Sequence, residues 1–121
     1  MVMSEPKGPE KESLIDERRN MARIQVVIDV RWVSLSGQQK GTISDISASG
    51  CFILTSGEVF ENEPLIIEIK LPDEEPATLP GEAVYHTTEI GFALRFTEMD
   101  ETEQGFLQRL LDYAEKNRTR E

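Results

Sequence analysis

From Ile24 to Val33 the chain places Ile24, Val26, Ile28, Val30 and Trp32 at alternate positions. Gln25, Asp29 and Arg31 stand between them, and Val27 and Val33 interrupt that polar set. Alternation this long aligns five large apolar side chains on one side of an extended chain, but scatters them around a helix. The segment therefore reads as a β-strand with one buried face. A single strand cannot bury that face alone, so further strands must close over it.

They follow at short intervals. Lys40–Ser44 and Cys51–Thr55 read as the second and third strands, with Phe52 and Leu54 on one face of the latter. In Leu65–Leu71 the residues Leu65, Ile67, Ile69 and Leu71 oppose Glu68 and Lys70. Thr78–Thr87 and Glu89–Phe96 form a hairpin, in which Phe92, Leu94 and Phe96 alternate with Ala93 and Arg95. Ser36–Gln39, the polar loop Ser56–Asn62 and the acidic Pro72–Pro76 supply turns. Six short strands punctuated this way predict a mainly β fold, a small six-stranded antiparallel β-barrel. A C-terminal α-helix is expected over about 100–118. Asp100 and Glu103 have capping-box spacing, and Phe106, Leu107, Leu110, Leu111 and Ala114 form an apolar stripe that covers an end or side of the barrel.

The chain has 121 residues, enough for one domain with a real core. Residues 1–15 are expected to be a flexible N-terminal arm, with Pro6, Gly8 and Pro9 among charges, and 16–121 the domain. A short helical turn is expected at Ser13–Glu17, with Ser13 as N-cap. No run of about 18 apolar residues occurs, and Met1–Glu12 lacks the apolar core of a signal peptide. The single cysteine, Cys51, excludes an internal disulfide and reads as a small buried hydrophobe. These features together point to a cytoplasmic protein. The net charge is −10, which opposes binding to a nucleic acid polymer, because that needs a broad basic face. It leaves room for a small anion, since Arg18, Arg19 and Arg23 lie within six residues.

Two motifs carry the chemistry. Arg19 and Arg23 form R-x-x-x-R just before the first strand. Asp45-Ile46-Ser47-Ala48-Ser49-Gly50 forms D-x-S-x-x-G at the link between the second and third strands. Either alone reads as surface charge or a polar turn. In this order, the pair resembles the PilZ domain, over Asp16 to Arg118. That family binds the bacterial second messenger cyclic di-GMP. The resemblance implies Arg19, Arg23, Asp45, Ser47 and Gly50 as ligand-binding residues. It adds Arg18, a position where arginine goes with a ligand taken as a stacked pair.

The chemistry agrees with this assignment. A guanidinium grips phosphate bidentately and also matches guanine O6 and N7, while a carboxylate accepts from the guanine N1 and N2 donors. A serine hydroxyl serves phosphate or base, and Gly50 keeps the turn clear of the ligand. The implied function is that of a single-domain cytoplasmic receptor without a cofactor beyond its ligand. Its arginine arm orders over cyclic di-GMP and alters the surface offered to an unidentified effector protein. The family's typical outputs are motility, adhesion and polysaccharide export.

No enzyme is expected. His86 is the only histidine and lies in a strand pattern, and no triad or metal-ligand spacing is present. Two other readings stay open: a PilZ-like adaptor that binds protein partners without nucleotide, and a barrel that binds single-stranded nucleic acid. The latter needs an aromatic and basic face, which the alternation does not supply.

Overall fold

The computed structural model describes residues 23–35, 37–87 and 90–119, with the side chains of 85–87 left aside. The Ser13–Glu17 turn, Arg18 and Arg19 lie outside the described residues.

Six strands form a closed antiparallel barrel: β1 Ile24–Ser34, β2 Gly37–Ile46, β3 Gly50–Leu54, β4 Pro64–Ile69, β5 Ala77–Thr87 and β6 Gly91–Phe96. Their order around the barrel is β1-β2-β3-β6-β5-β4. The five alternating residues of β1 are all buried, as are Leu65, Ile67, Ile69 and Leu71. The barrel closes where β1 meets β4, through Arg31 opposite Glu68, Trp32 opposite Ile67 and Val33 opposite Ile66. At that seam Trp32 is 1% exposed and meets the Phe92 ring edge-on, with centroids 5.1 Å apart. Its indole Nε1 donates to Thr55 Oγ1 at 3.3 Å, so the buried N–H keeps a partner.

Both ends of β2 differ from the sequence expectation. Gly37, Gln38 and Gln39 belong to β2 rather than to a turn, because Ser34 pairs directly with Gly37. Gly37 has φ of 122°, a conformation that only glycine adopts readily, and this permits the tight reversal. At its other end β2 runs through Asp45 and Ile46, and β3 starts at Gly50. The link between them is thus only 47–49, and half of the D-x-S-x-x-G stretch is strand.

After β6, helix α1 spans Glu101–Lys116. Asp100 Oδ1 accepts from the Glu103 N–H at 2.8 Å, and Glu103 Oε1 accepts from the Asp100 N–H at 2.9 Å, completing the expected capping box. Phe106, Leu107, Leu110 and Ala114 are buried in the same core as the strands. The helix packs on β1 and β5. Arg109 Nε reaches the Glu74 carboxylate at 3.1 Å, tying α1 to the turn between β4 and β5. Beyond the helix, the Thr119 N–H donates to the Gln25 carbonyl at 2.7 Å.

Candidate functional site

The site is built by two irregularities in the sheet. Between β1 and β2 the register runs from Gln25 opposite Asp45 to Ile28 opposite Ile43, leaving one extra residue on β1. Between β2 and β3 it runs from Ile43 opposite Ile53 to Asp45 opposite Phe52, leaving Ser44 extra. Such bulges bend a strand and re-aim side chains. Here Ile43 and Ile46 both enter the core, although three positions apart. Strict alternation would have put only one of them inside. Asp45 thereby stays at the surface, its side chain 26% exposed.

Arg23 immediately precedes β1, and its Nη1 donates to Asp45 Oδ1. One residue from each motif is thus joined across a separation of 22 positions. The Arg23 side chain is 52% exposed, and an ion pair in water contributes about 0–1 kcal/mol. The pair therefore sets position more than stability, and both groups can turn to a ligand.

The rest of the D-x-S-x-x-G stretch is occupied with its own architecture. Ser47 is 2% exposed. Its Oγ accepts from the Ser49 N–H at 3.3 Å and lies 3.1 Å from Ser49 Oγ, while its N–H donates to the Gly50 carbonyl at 2.8 Å. This is the local side-chain-to-backbone bonding that stabilises a turn. The Phe96 N–H donates to the Ser49 carbonyl at 2.9 Å, which pins the turn to the end of β6. At Gly50 a Cβ would stand 2.1 Å from the Leu94 carbonyl oxygen. The sequence expectation gave Gly50 the task of clearing the ligand; the barrel already requires glycine there for β3 to approach β6.

Cys51, next along, is fully buried as expected. Burial pushes its thiol far above the ordinary range, and the nearby Asp45 carboxylate adds to this while Arg23 partly offsets it. The native thiol is therefore expected to resist iodoacetamide at pH 8, whereas the urea-unfolded chain reacts at the rate of a free thiol. Rapid labelling of the native protein would contradict this burial. The sign for stability follows. Above about pH 8.5 the unfolded chain loses this proton and the native chain keeps it, so rising pH destabilises the fold through Cys51.

The outward face beside Asp45 holds residues that the motifs do not include. Phe52 is opposite Asp45 on one side and Ala93 on the other, and Gly50 is opposite Arg95. Arg95 in turn is opposite Glu82 and bonds its carboxylate, with Nε at 3.1 Å from Oε2. Alternation in β6 already separated Arg95 from Phe92 and Leu94. What the sequence lacked was the register that sets Arg95 against Gly50.

A groove of about 830 Å³ lies elsewhere, lined in part by Asp29, Arg31, Lys40, Thr42, Glu68 and Lys70. Among the described residues its lining contains no motif residue, and its charges are of both signs, with Arg31 3.9 Å from Glu68. Size alone does not mark the binding site. The joined motif residues and their hydrogen-bonding chemistry are the stronger guide. Among the described residues no group of three or more His, Cys, Asp and Glu side chains could hold a metal ion, and no helix is long and apolar enough to cross a membrane.

The family model of the PilZ domain matches residues 17–113. The chain belongs to the PilZ domain family. No curated protein matches it by sequence. Among solved structures, it is similar to the PilZ domain of CeSA from a cellulose-synthesizing bacterium, with 23% identity and a TM-score of 0.66, over 77% of this chain and 97% of that one. It is also similar to the PilZ domain of YcgR from Escherichia coli, solved with c-di-GMP, with 16% identity and a TM-score of 0.67, over 82% of this chain and 92% of that one. The Bacillus subtilis inhibitor of motility, MotI/DgrA, is 27% identical with a TM-score of 0.58, over 82% of this chain and 50% of that one. Membership agrees with the closed six-stranded barrel and its C-terminal helix.

Proposed function

We propose that this PilZ domain is a receptor for cyclic di-GMP. The observation that carries the reading is the Arg23–Asp45 pair, which unites the two motifs at one exposed edge of the barrel. A guanidinium and a carboxylate side by side offer the donors that phosphate and guanine O6/N7 accept, and the acceptor that guanine N1 and N2 require. Arg19 and Gly50 complete the ligand set, and Ser47 serves it by holding the turn as well as by any contact of its hydroxyl. Arg18 directs binding of a stacked ligand pair. The PilZ domain of Escherichia coli YcgR, solved with c-di-GMP, supports the choice of ligand.

The mechanism is an order transition. The arginine segment before β1 folds over the ligand, and the altered surface is read by an effector protein in the cytoplasm. The domain acts as a receptor and not as an enzyme.

Calorimetric titration with cyclic di-GMP tests this reading. Micromolar or tighter binding is expected, with two ligands per domain. Arg23→Ala and Asp45→Ala are each expected to weaken binding by about 2 kcal/mol or more, roughly thirtyfold, as for truncation of charged hydrogen-bonding partners. No heat and no rise in melting temperature at millimolar ligand would sink the receptor reading. It would favour an adaptor that binds proteins without nucleotide.

A further inference from the structure

We infer that Arg95 is a further ligand-binding residue, a guanidinium on β6 that contacts a phosphate of the bound nucleotide beside the D-x-S-x-x-G stretch. The inference rests on the receptor reading above and extends its site across two more strands.

Three observations place Arg95 there. First, it pairs in register with Gly50, the last residue of the D-x-S-x-x-G stretch. Directly opposed residues in an antiparallel sheet stand about 4.5–5.5 Å apart, so Arg95 borders the motif as closely as a sheet allows. Second, the positions beside it are small. Gly50 has no side chain, and Ala93 is the next outward residue on β6, so the surface between Arg95 and Asp45 is low and bordered by Phe52. A planar base and its phosphate can lie across such a surface, with an aromatic ring at its edge. Third, Arg95 is both held and available. Its Nε and one Nη bond a single oxygen of Glu82, while the side chain remains 56% exposed.

Glu82 is thus a positioning residue. It fixes the plane of the guanidinium, which lowers the entropy lost when Arg95 takes a second anionic partner. The ion pair is largely exposed, so its loss is expected to leave the unliganded domain folded.

The test is titration of the full chain with cyclic di-GMP at two salt concentrations, using Arg95→Ala, Arg95→Lys and Glu82→Gln. Arg95→Ala is expected to raise Kd at least tenfold and to make binding less sensitive to salt, with the melting temperature without ligand changed by no more than a few degrees. Arg95→Lys, which keeps a point charge for phosphate, is expected to recover part of the affinity. Glu82→Gln is expected to weaken binding less than Arg95→Ala does. Arg109→Ala, an exposed ion-paired arginine on α1, is the control and is expected to leave Kd within twofold. If wild type binds and Arg95→Ala stays within twofold of it, the inference is overturned while the receptor reading stands. If wild type does not bind, both fall.

Discussion

Replacing Trp32 by alanine is expected to lower the stability of the domain by about 3–5 kcal/mol, the range for truncating a fully buried large aromatic. The site gives reason to expect the upper part of that range. Trp32 pairs with Ile67 at the β1–β4 seam that closes the barrel, and its ring meets Phe92 from β6. Gly57 covers the other side so closely that a Cβ there would stand 2.7 Å from Trp32 Cζ2. Alanine therefore leaves a void walled by backbone and by three strands, which cannot collapse without opening the seam. Because small domains are stable by about 5–15 kcal/mol, this is a large share of the total. Urea unfolding followed by circular dichroism measures it, since the variant has no other tryptophan to report by fluorescence. Trp32→Phe, which keeps an aromatic against Phe92, is expected to restore much of the loss. A loss below about 1 kcal/mol for Trp32→Ala would mean that the seam is not held at this residue.

Gly50→Ala is expected to destabilise the protein even when no ligand is present, by about 1–3 kcal/mol or more. The added methyl would meet the Leu94 carbonyl oxygen at 2.1 Å and the Arg95 Cα at 3.2 Å. Both are backbone atoms, so no rotamer change relieves the overlap, and β3 must move away from β6. Ligand binding is expected to weaken as well, because the same movement shifts the turn that follows Asp45. The midpoint of urea unfolding without ligand separates two explanations for this glycine. An unchanged midpoint with lost binding would mean that Gly50 serves only to clear the ligand. A lowered midpoint would mean that strand packing already demands it.

These two positions also mark the limit of what local pattern conveys. The alternation in β1 and β4 identified their buried faces because a period of two depends only on neighbours along the chain. The capping box of α1 was legible for the same reason, as Asp100 and Glu103 meet within one turn. Cys51 read as buried because it sits in an apolar run. The ends of β2 were not legible. Its polar Gly37–Gln39 segment resembles a turn, and only pairing with β1 makes it strand.

The residues themselves determined the barrel, the closing helix and the two motifs, since each depends on side-chain type and short spacing. Tertiary structure alone decided how the described motif residues are placed. Bulges at β1 and at Ser44 hold Asp45 at the surface beside Arg23, while Ser47 turns inward and Gly50 meets the backbone of β6. The same register brings Arg95 and Glu82 to the edge of the site. Those relations join residues far apart in sequence, and strand register is a property of the whole closed sheet, so no short stretch of the chain encodes them.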